Sequence, residues 1–292
     1  MRKKIKLFLS IFIVLITFYV FINYLRNNSY ILKRLSHIDP VLIVLILLLY
    51  LVILLILVTI MKASLDFYKI KVPNFDNLLL NSYSLVINFF MFGQAGPGVR
   101  AIYLKKKYQL PIKRFIFITL IYYGLYTLLS SLLILIGSKL MWYYSLLIIV
   151  GVILISILVI KWFLKTKLNN KNLADFKLSG FIKLGLVTLA QLLIQTLIYG
   201  IELDSIKHVY LHQILAYSGF ANLSLFVSIT PAGIGIREAF LILSESIHHI
   251  SSSQIVSASI IDRSVYLIFL LGIILFLAIF HAGKKLKNMT KI

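Results

Sequence analysis

An all-α, polytopic integral membrane protein is predicted by three observations: 61% hydrophobic residues with only 13% charged, a series of apolar runs long enough to span a bilayer, and a repeated glycine-arginine phrase. Mean hydropathy of +0.99 over 292 residues lies far from both soluble globular and disordered compositions. The repeated phrase is Ala95-Gly96-Pro97-Gly98-Val99-Arg100 and, 137 residues on, Ala232-Gly233-Ile234-Gly235-Ile236-Arg237. The same offset lays the apolar run 5–25 on 142–162, the run 41–61 on one starting near 181, and 115–137 on 252–274. A single membrane domain, 1–292, is therefore expected to consist of two repeats, 1–138 and 139–292.

The first run, Ile5 to Leu25, follows a basic Arg2-Lys3-Lys4 start and is followed by Arg26-Asn27-Asn28 rather than by small residues. It reads as a retained helix and not as a cleaved signal peptide. In the second run, eighteen of residues 41–60 are Val, Leu or Ile. On an insertion scale this is worth roughly −5 to −11 kcal/mol. The third run, 115–137, carries Tyr122, Tyr123 and Tyr126, for which packing is the plainer role and a lipid path the sharper one. The last span is expected from about Ser253 to Phe280.

A formal net charge of +21 raises nucleic acid as a partner, but the lysines and arginines lie in loops between spans, so no nucleic acid is expected and the charge reads as topology. Two segments, about 78–110 and 211–248, carry the glycine phrases. If each dips into the bilayer and returns, six full transmembrane helices and two re-entrant hairpins result. The cytoplasm then holds the lysine-rich clusters at 2–6, 62–71, 105–114, 161–183 and 284–291, leaving Arg26, Lys33, Arg34, Lys139, Lys207 and Arg237 outside. If both segments crossed fully, two basic clusters would fall outside, against the positive-inside rule. Both termini are then cytoplasmic, in the cell membrane. Three spans and one hairpin per half also invert the second half, so its hairpin enters from the opposite face. The glycine tips approach each other near mid-membrane, where irregular backbone is tolerated only around a polar chamber.

Chemistry at the tips points to an anion. In each copy two glycines precede a stretch that reads as helix, whose first turn leaves free N–H groups and a positive dipole end. Arg100 and Arg237 add guanidinium groups suited to phosphate or carboxylate. Gly96, Gly98, Arg100, Gly233, Gly235, Arg237 and Glu238 are thus the candidate substrate-binding residues. The plainer reading has the glycines break helices and the arginines cap local carbonyls. Glu238 stands where the first copy has Ala101, and Asp262-Arg263 where it has Leu125-Tyr126. Buried charges in a span need partners. Arg263 with Glu238 is the first expected pair, and Arg237 with Asp262 the second. Glu238, Asp262 and Arg263 form either a structural lock or a proton-sensitive gate.

The stretch Thr230-Pro231-Ala232-Gly233-Ile234-Gly235-Ile236-Arg237-Glu238-Ala239, followed by Ala258-Ser259-Ile260-Ile261-Asp262-Arg263, resembles the lysylphosphatidylglycerol synthase transmembrane-region family of flippase-like integral membrane proteins. Gly93-Gln94-Ala95-Gly96-Pro97-Gly98-Val99-Arg100 resembles that family's first motif, although its usual acidic residue is absent here and Pro231 is followed by Ala rather than Gly. The resemblance covers nearly the whole chain. It implies movement of lipids with anionic or aminoacylated headgroups, or of lipid-linked sugars, between leaflets. Related synthases add a soluble aminoacyl-transfer domain, for which this sequence is expected to be too short.

The expectation is a lipid translocator rather than an enzyme, with membrane lipids and their phosphate headgroups as partners, a lipid-modifying enzyme as a further candidate partner, and no cofactor. The sequence contains no P-loop. The alternative is a membrane enzyme, or enzyme subunit, in aminoacyl-lipid or lipid-linked sugar synthesis, with Glu202-x-Asp204 clamping a divalent metal; the plainer reading makes both acids solvated caps. His208, His212, His248 and His249 lack a metal-ligand register, so no metal is expected. Asn88, Gln94, Gln191, Gln195 and Asn222 are polar groups inside apolar runs, suited to interhelical hydrogen bonds or chamber lining. With no cysteine, thiol chemistry is excluded.

Overall fold

The computed structural model describes residues 39–91, 95–138, 150–151, 178–227, 230 and 233–289. The expected span at 5–25, and that at 142–162 apart from residues 150–151, lie outside the described residues, as do Gly93, Gln94, Pro231 and Ala232. In chain order the described helices are α1 (Pro40–Asp66), α2 (Asn74–Phe90), α3 (Gly96–Tyr108), α4 (Ile112–Gly137), α5 (Leu178–Asp204), α6 (Leu211–Val227), α7 (Ile236–Leu243), α8 (Glu245–His248) and α9 (Ser252–Met289). Among described residues, four segments are long and apolar enough to cross a membrane: Pro40–Asp66, Ile112–Gly137, Ser179–Asp204 and Ser252–Phe280. They coincide with four of the six expected spans.

Local chemistry explains where these helices begin and end. Asp39 Oδ1 accepts from the Val41 amide at 2.9 Å and Pro40 occupies the first turn, a strong start for α1. At 27 residues α1 is about 40 Å long, enough to span. Val41, Val44, Leu48 and Leu55 are exposed on it, as expected of a helix that is apolar all round and faces lipid tails. Lys69 then takes a left-handed backbone and ends the run. Threonine hydroxyls inside the spans bond within their own helices: Thr59, Thr119, Thr127, Thr188 and Thr196 each donate to the carbonyl four residues back.

Helices α2 and α3 form an antiparallel hairpin. Near its tip the Gly96 amide donates to Asn88 Oδ1 at 2.7 Å; midway Arg100 Nη1 reaches Asn81 Oδ1 at 3.4 Å; at its open end Lys107 pairs with Asp76, which also accepts from the Tyr108 hydroxyl at 2.7 Å. The bond to Asp76 raises the Lys107 ammonium pKa, and burial with the same carboxylate pushes Tyr108 up to about 12. A β-carbon on Gly96 would sit 2.2 Å from Ser84 Oγ, so only glycine lets the two helices approach this closely.

A second antiparallel hairpin pairs α6 with α7 and α8. Phe220 packs on Phe240 with ring centres 6.1 Å apart, and Gln213 Nε2 donates to the His249 carbonyl at 3.1 Å. Gly233 and Gly235 at its tip have φ of 67° and 81°, the left-handed region glycine enters freely. The hairpin is held against α4 by small residues. A β-carbon on Gly137 would lie 2.3 Å from the Ala216 nitrogen, and one on Gly219 would lie 2.4 Å from Ile134 Cγ1.

The hairpins open at opposite ends of the bundle. Lys183 bonds Asp66 at 3.0 Å, joining the start of α5 to the end of α1, while Ile46 and Tyr50 share a core cluster with Ile198 further along. Helices α1 and α5 therefore run antiparallel. The α2–α3 hairpin opens where α1 ends and α4 begins, at the Asp66 end. Gly137 against Ala216 and Tyr126 against Asn222 make α4 and α6 antiparallel, which puts the open end of the second hairpin at the far end of α4.

Candidate functional site

A partly open cavity of about 290 Å3 lies where the two hairpins face each other. Asn81, Ser84, Asn88 and Arg100 line it from the first hairpin; Leu225, Phe226, Thr230, Gly233 and Arg237 line it from the second. The walls come from Tyr50 of α1, Tyr122, Tyr123 and Tyr126 of α4, Gln191, Gln195 and Tyr199 of α5, and Asp262, Arg263 and Tyr266 of α9. Its size is at the lower end of small-molecule pockets. It combines an apolar and aromatic surface with a few convergent polar groups.

Four charged residues beside it are buried, each at 6% exposure or less: Arg237, Glu238, Asp262 and Arg263. Arg237 Nη1 lies 2.5 Å from Asp262 Oδ2, and its guanidinium stacks over the Tyr199 ring at 5.2 Å. The second Asp262 oxygen accepts from the Tyr50 hydroxyl. Arg263 Nη2 lies 2.5 Å from Glu238 Oε1 and donates to the Gly233 carbonyl at 3.2 Å. Adjacent helix positions diverge by about 100°, which is why Arg237 and Glu238 reach different partners on α9. Both bridges tie α7 to α9, so unpaired ions are avoided where hydration is absent.

Glu238 has a second task. Its Oε2 accepts from the Gly235 amide at 2.8 Å, capping the first turn of its own helix. The dipole end of α7 therefore already carries a carboxylate. In the first copy the expected geometry changes: the glycines do not precede the helix but form its first turn, because α3 begins at Gly96 with Pro97 in the turn. Gly96, Gly98, Gly235 and Glu238 shape or brace the tips and are not part of the cavity lining, whereas Arg100, Gly233, Arg237, Asp262 and Arg263 are.

Arg100 differs from the other two arginines in its partners. All three have a buried Nε without a hydrogen bond, but the bond that Arg100 makes is a long contact to Asn81 at the weak end of the hydrogen-bond range. Among described residues no carboxylate pairs with it. The tyrosines opposite are partly committed: Tyr122 donates to Gln191 at 2.8 Å and Tyr126 to Asn222 at 3.0 Å.

Tyr50, Asn81, Ser84, Tyr199 and Tyr266 are lining residues that the sequence did not single out. Tyr50 had a signal, since it and Thr59 are the two non-aliphatic residues of positions 41–60. Asn81 stands four residues after Asn77 on one face of α2, and the two side chains bond each other at 2.8 Å.

The Glu202-x-Asp204 clamp is overturned. Glu202 is 1% exposed and lies against Asp262, so it is no solvated cap either; Asp204 is exposed and bonds His208 Nδ1 at 3.0 Å and the Val209 amide at 3.2 Å. Two positions apart on a helix, the carboxylates point about 200° apart. Among the described residues no group of three His, Asp or Glu could hold a metal. His248 is buried, accepts from the Ile250 amide at Nδ1 and donates from Nε2 to the Leu241 carbonyl, and burial lowers its pKa from the ordinary histidine value.

No curated protein matches the chain at a significant level. The family model described as the lysylphosphatidylglycerol synthase TM region matches residues 5–274, and on that footing, with its long apolar helices and paired glycine-arginine tips, the chain belongs to that family of multi-pass membrane proteins concerned with lipid metabolism or translocation.

Proposed function

We propose that the protein is a flippase-like lipid translocator of the cell membrane, in which the phosphate of a lipid headgroup binds between the hairpin tips. The observation that carries this reading is Arg100: a buried cation lining the cavity between the hairpins with an unbonded Nε and no acidic partner among described residues. An isolated charge at such depth is costly, and an anionic ligand removes the cost. Arg237 keeps Nε and Nη2 free of hydrogen bonds while held by Asp262, so it offers further donors on the opposite tip.

In this reading the two halves are inverted-topology repeats, the hairpins are re-entrant, and the lysine-rich end of the bundle is cytoplasmic. Support comes from the 137-residue offset, from hairpins that open at opposite ends, and from Lys105, Lys106 and Lys107 lying exposed at the Asp66 end. Acyl or polyprenyl tails stay in the bilayer while one repeat rocks against the other and opens the chamber to each face in turn. The bridges from α7 to α9 move as one body with the second tip.

The test is transport of a fluorescent anionic phospholipid in proteoliposomes, read by quenching of the outer leaflet. Arg100→Gln, which keeps a shorter hydrogen-bonding side chain without the charge, is expected to slow transport at least about tenfold while leaving the unfolding temperature near that of the parent. Undiminished transport by Arg100→Gln would remove the basis of the proposal.

A further inference from the structure

Near its end α5 carries a buried acid that the headgroup site does not use. Glu202 is 1% exposed, its Oε1 makes no hydrogen bond, and its side chain is in hydrogen-bond contact with the carboxyl of Asp262, itself 6% exposed. An ionised carboxylate only accepts, so two of them cannot bond each other. The contact therefore needs one proton held between the two groups. Glu202 is the donor, because both Asp262 oxygens already accept, one from Arg237 and one from the Tyr50 hydroxyl.

Among the described residues, the titratable and charged groups facing the pair are Tyr50 of α1, Tyr199 of α5 itself, Tyr217 of α6, Arg237 of α7 and Tyr266 of α9. Arg237 is the single cation among them, and its ion pair is with Asp262. A second carboxylate here would have to share that guanidinium, at a depth where uncompensated charge is costly. Asp262 lines the cavity and Glu202 stands behind it, so the pair adjoins the chamber without filling it. With one proton on the pair, Asp262 balances Arg237, Glu238 balances Arg263, and Arg100 is left to receive a phosphate. Once the proton leaves, three acids face three arginines, and the added carboxylate competes with phosphate for Arg237.

We infer that Glu202 and Asp262 form a proton-binding site whose loading is linked to that of the lipid phosphate, so that cargo and one proton cross together. The inference rests on the translocator reading and adds its energy source. Linkage is reciprocal: a bound proton favours the phosphate, and a bound phosphate favours the proton. The single bond made and broken is the carboxyl O–H, with the proton taken from water on one side and returned to water on the other. One proton and one phosphodiester anion carry no net charge, so a pH gradient drives the cargo and a membrane potential does not.

Proteoliposomes of phosphatidylcholine, with fluorescent phosphatidylglycerol present from the start in both leaflets, receive a gradient of about one pH unit while potassium and valinomycin hold the potential at zero. The parent is expected to enrich the tracer in the leaflet facing the alkaline side, toward a limit of about tenfold. Protein-free vesicles supply the baseline. Glu202→Gln, whose carboxamide still donates to Asp262 but carries no exchangeable acid proton, is expected to leave the tracer evenly distributed. The same variant is expected to remove a protonated carboxylic acid band from the infrared spectrum, a readout that does not depend on transport. A parent that moves the tracer between leaflets yet shows no enrichment under the gradient would overturn the inference and leave the translocator reading standing. Enrichment by Glu202→Gln equal to the parent's, or an unchanged acid band in that variant, would also overturn it. If the parent moves the tracer no faster than protein-free vesicles, the translocator reading falls and the coupling falls with it.

Discussion

Replacing Glu238 by Gln and Arg263 by Met, singly and together, tests the buried bridge between α7 and α9. Glu238→Gln keeps an oxygen for the Gly235 amide but leaves the Arg263 guanidinium, 3% exposed, without a counter-ion; Arg263→Met strands the Glu238 carboxylate at 6% exposure. Removing one member of a buried pair costs about 3–5 kcal/mol. The double variant buries no unpaired ion and loses the Arg263 bond to the Gly233 carbonyl, a group that costs about 1–3 kcal/mol when left unsatisfied. The double change is therefore expected to destabilise less than the sum of the singles, with a coupling of at least about 2 kcal/mol. Steric trapping in bicelles measures each free energy without a thermal extrapolation. Additivity within about 0.5 kcal/mol would mean that the two side chains do not compensate each other, and the account of why α9 tolerates an arginine at mid-helix would be refuted.

Gly219→Ala is expected to destabilise by about 1–3 kcal/mol, since its β-carbon would sit 2.6 Å from the Ser130 carbonyl oxygen as well as against Ile134; an unchanged unfolding midpoint contradicts the close α4–α6 packing. Tyr50→Phe removes the hydroxyl donor to the Asp262 carboxylate and is expected to cost about 1.5–3 kcal/mol, seen in the same trapping assay. Burial holds the His248 pKa below the ordinary histidine value of about 6.5, near which the unfolded chain takes up its proton. Its contribution is thus fully present above pH 6.5 and declines as pH falls below it. The fall in unfolding temperature from pH 7.5 to pH 5.5 should shrink in His248→Gln, and equal falls in the two proteins would show that another group is responsible.

Hydropathy revealed the helices because lipid-facing positions admit little but aliphatic side chains, so α1, α4, α5 and α9 were legible to within a few residues. The hairpins were legible for a related reason: Gly233 and Gly235 interrupt apolar sequence where only left-handed backbone closes the turn. The ion pairs followed from scarcity, since few acids lie within reach of Arg237 and Arg263. Legibility failed at Glu202 and Asp204. Their two-residue spacing suggested a shared role, but a helix turns one carboxyl into the bundle against Asp262 and the other toward solvent and His208, and the turn depends on which face α5 packs against α1 and α9.

By itself, then, the sequence determined that the chain is a helical membrane protein with two glycine-arginine tips, because the cost of dehydrating polar groups in hydrocarbon is written directly into composition and spacing. Only tertiary structure decided that the arginines are not equivalent. In the primary sequence Arg100 and Arg237 are matched positions of one repeated phrase; in the fold, Asp262 approaches Arg237 from α9, while among the described residues Arg100 faces Asn81 and the tyrosines of α4 and has no acidic partner. Net charge at a point is a sum over neighbours, and a neighbour 25 residues distant along the chain, as Asp262 is from Arg237, enters that sum only once the helices have packed.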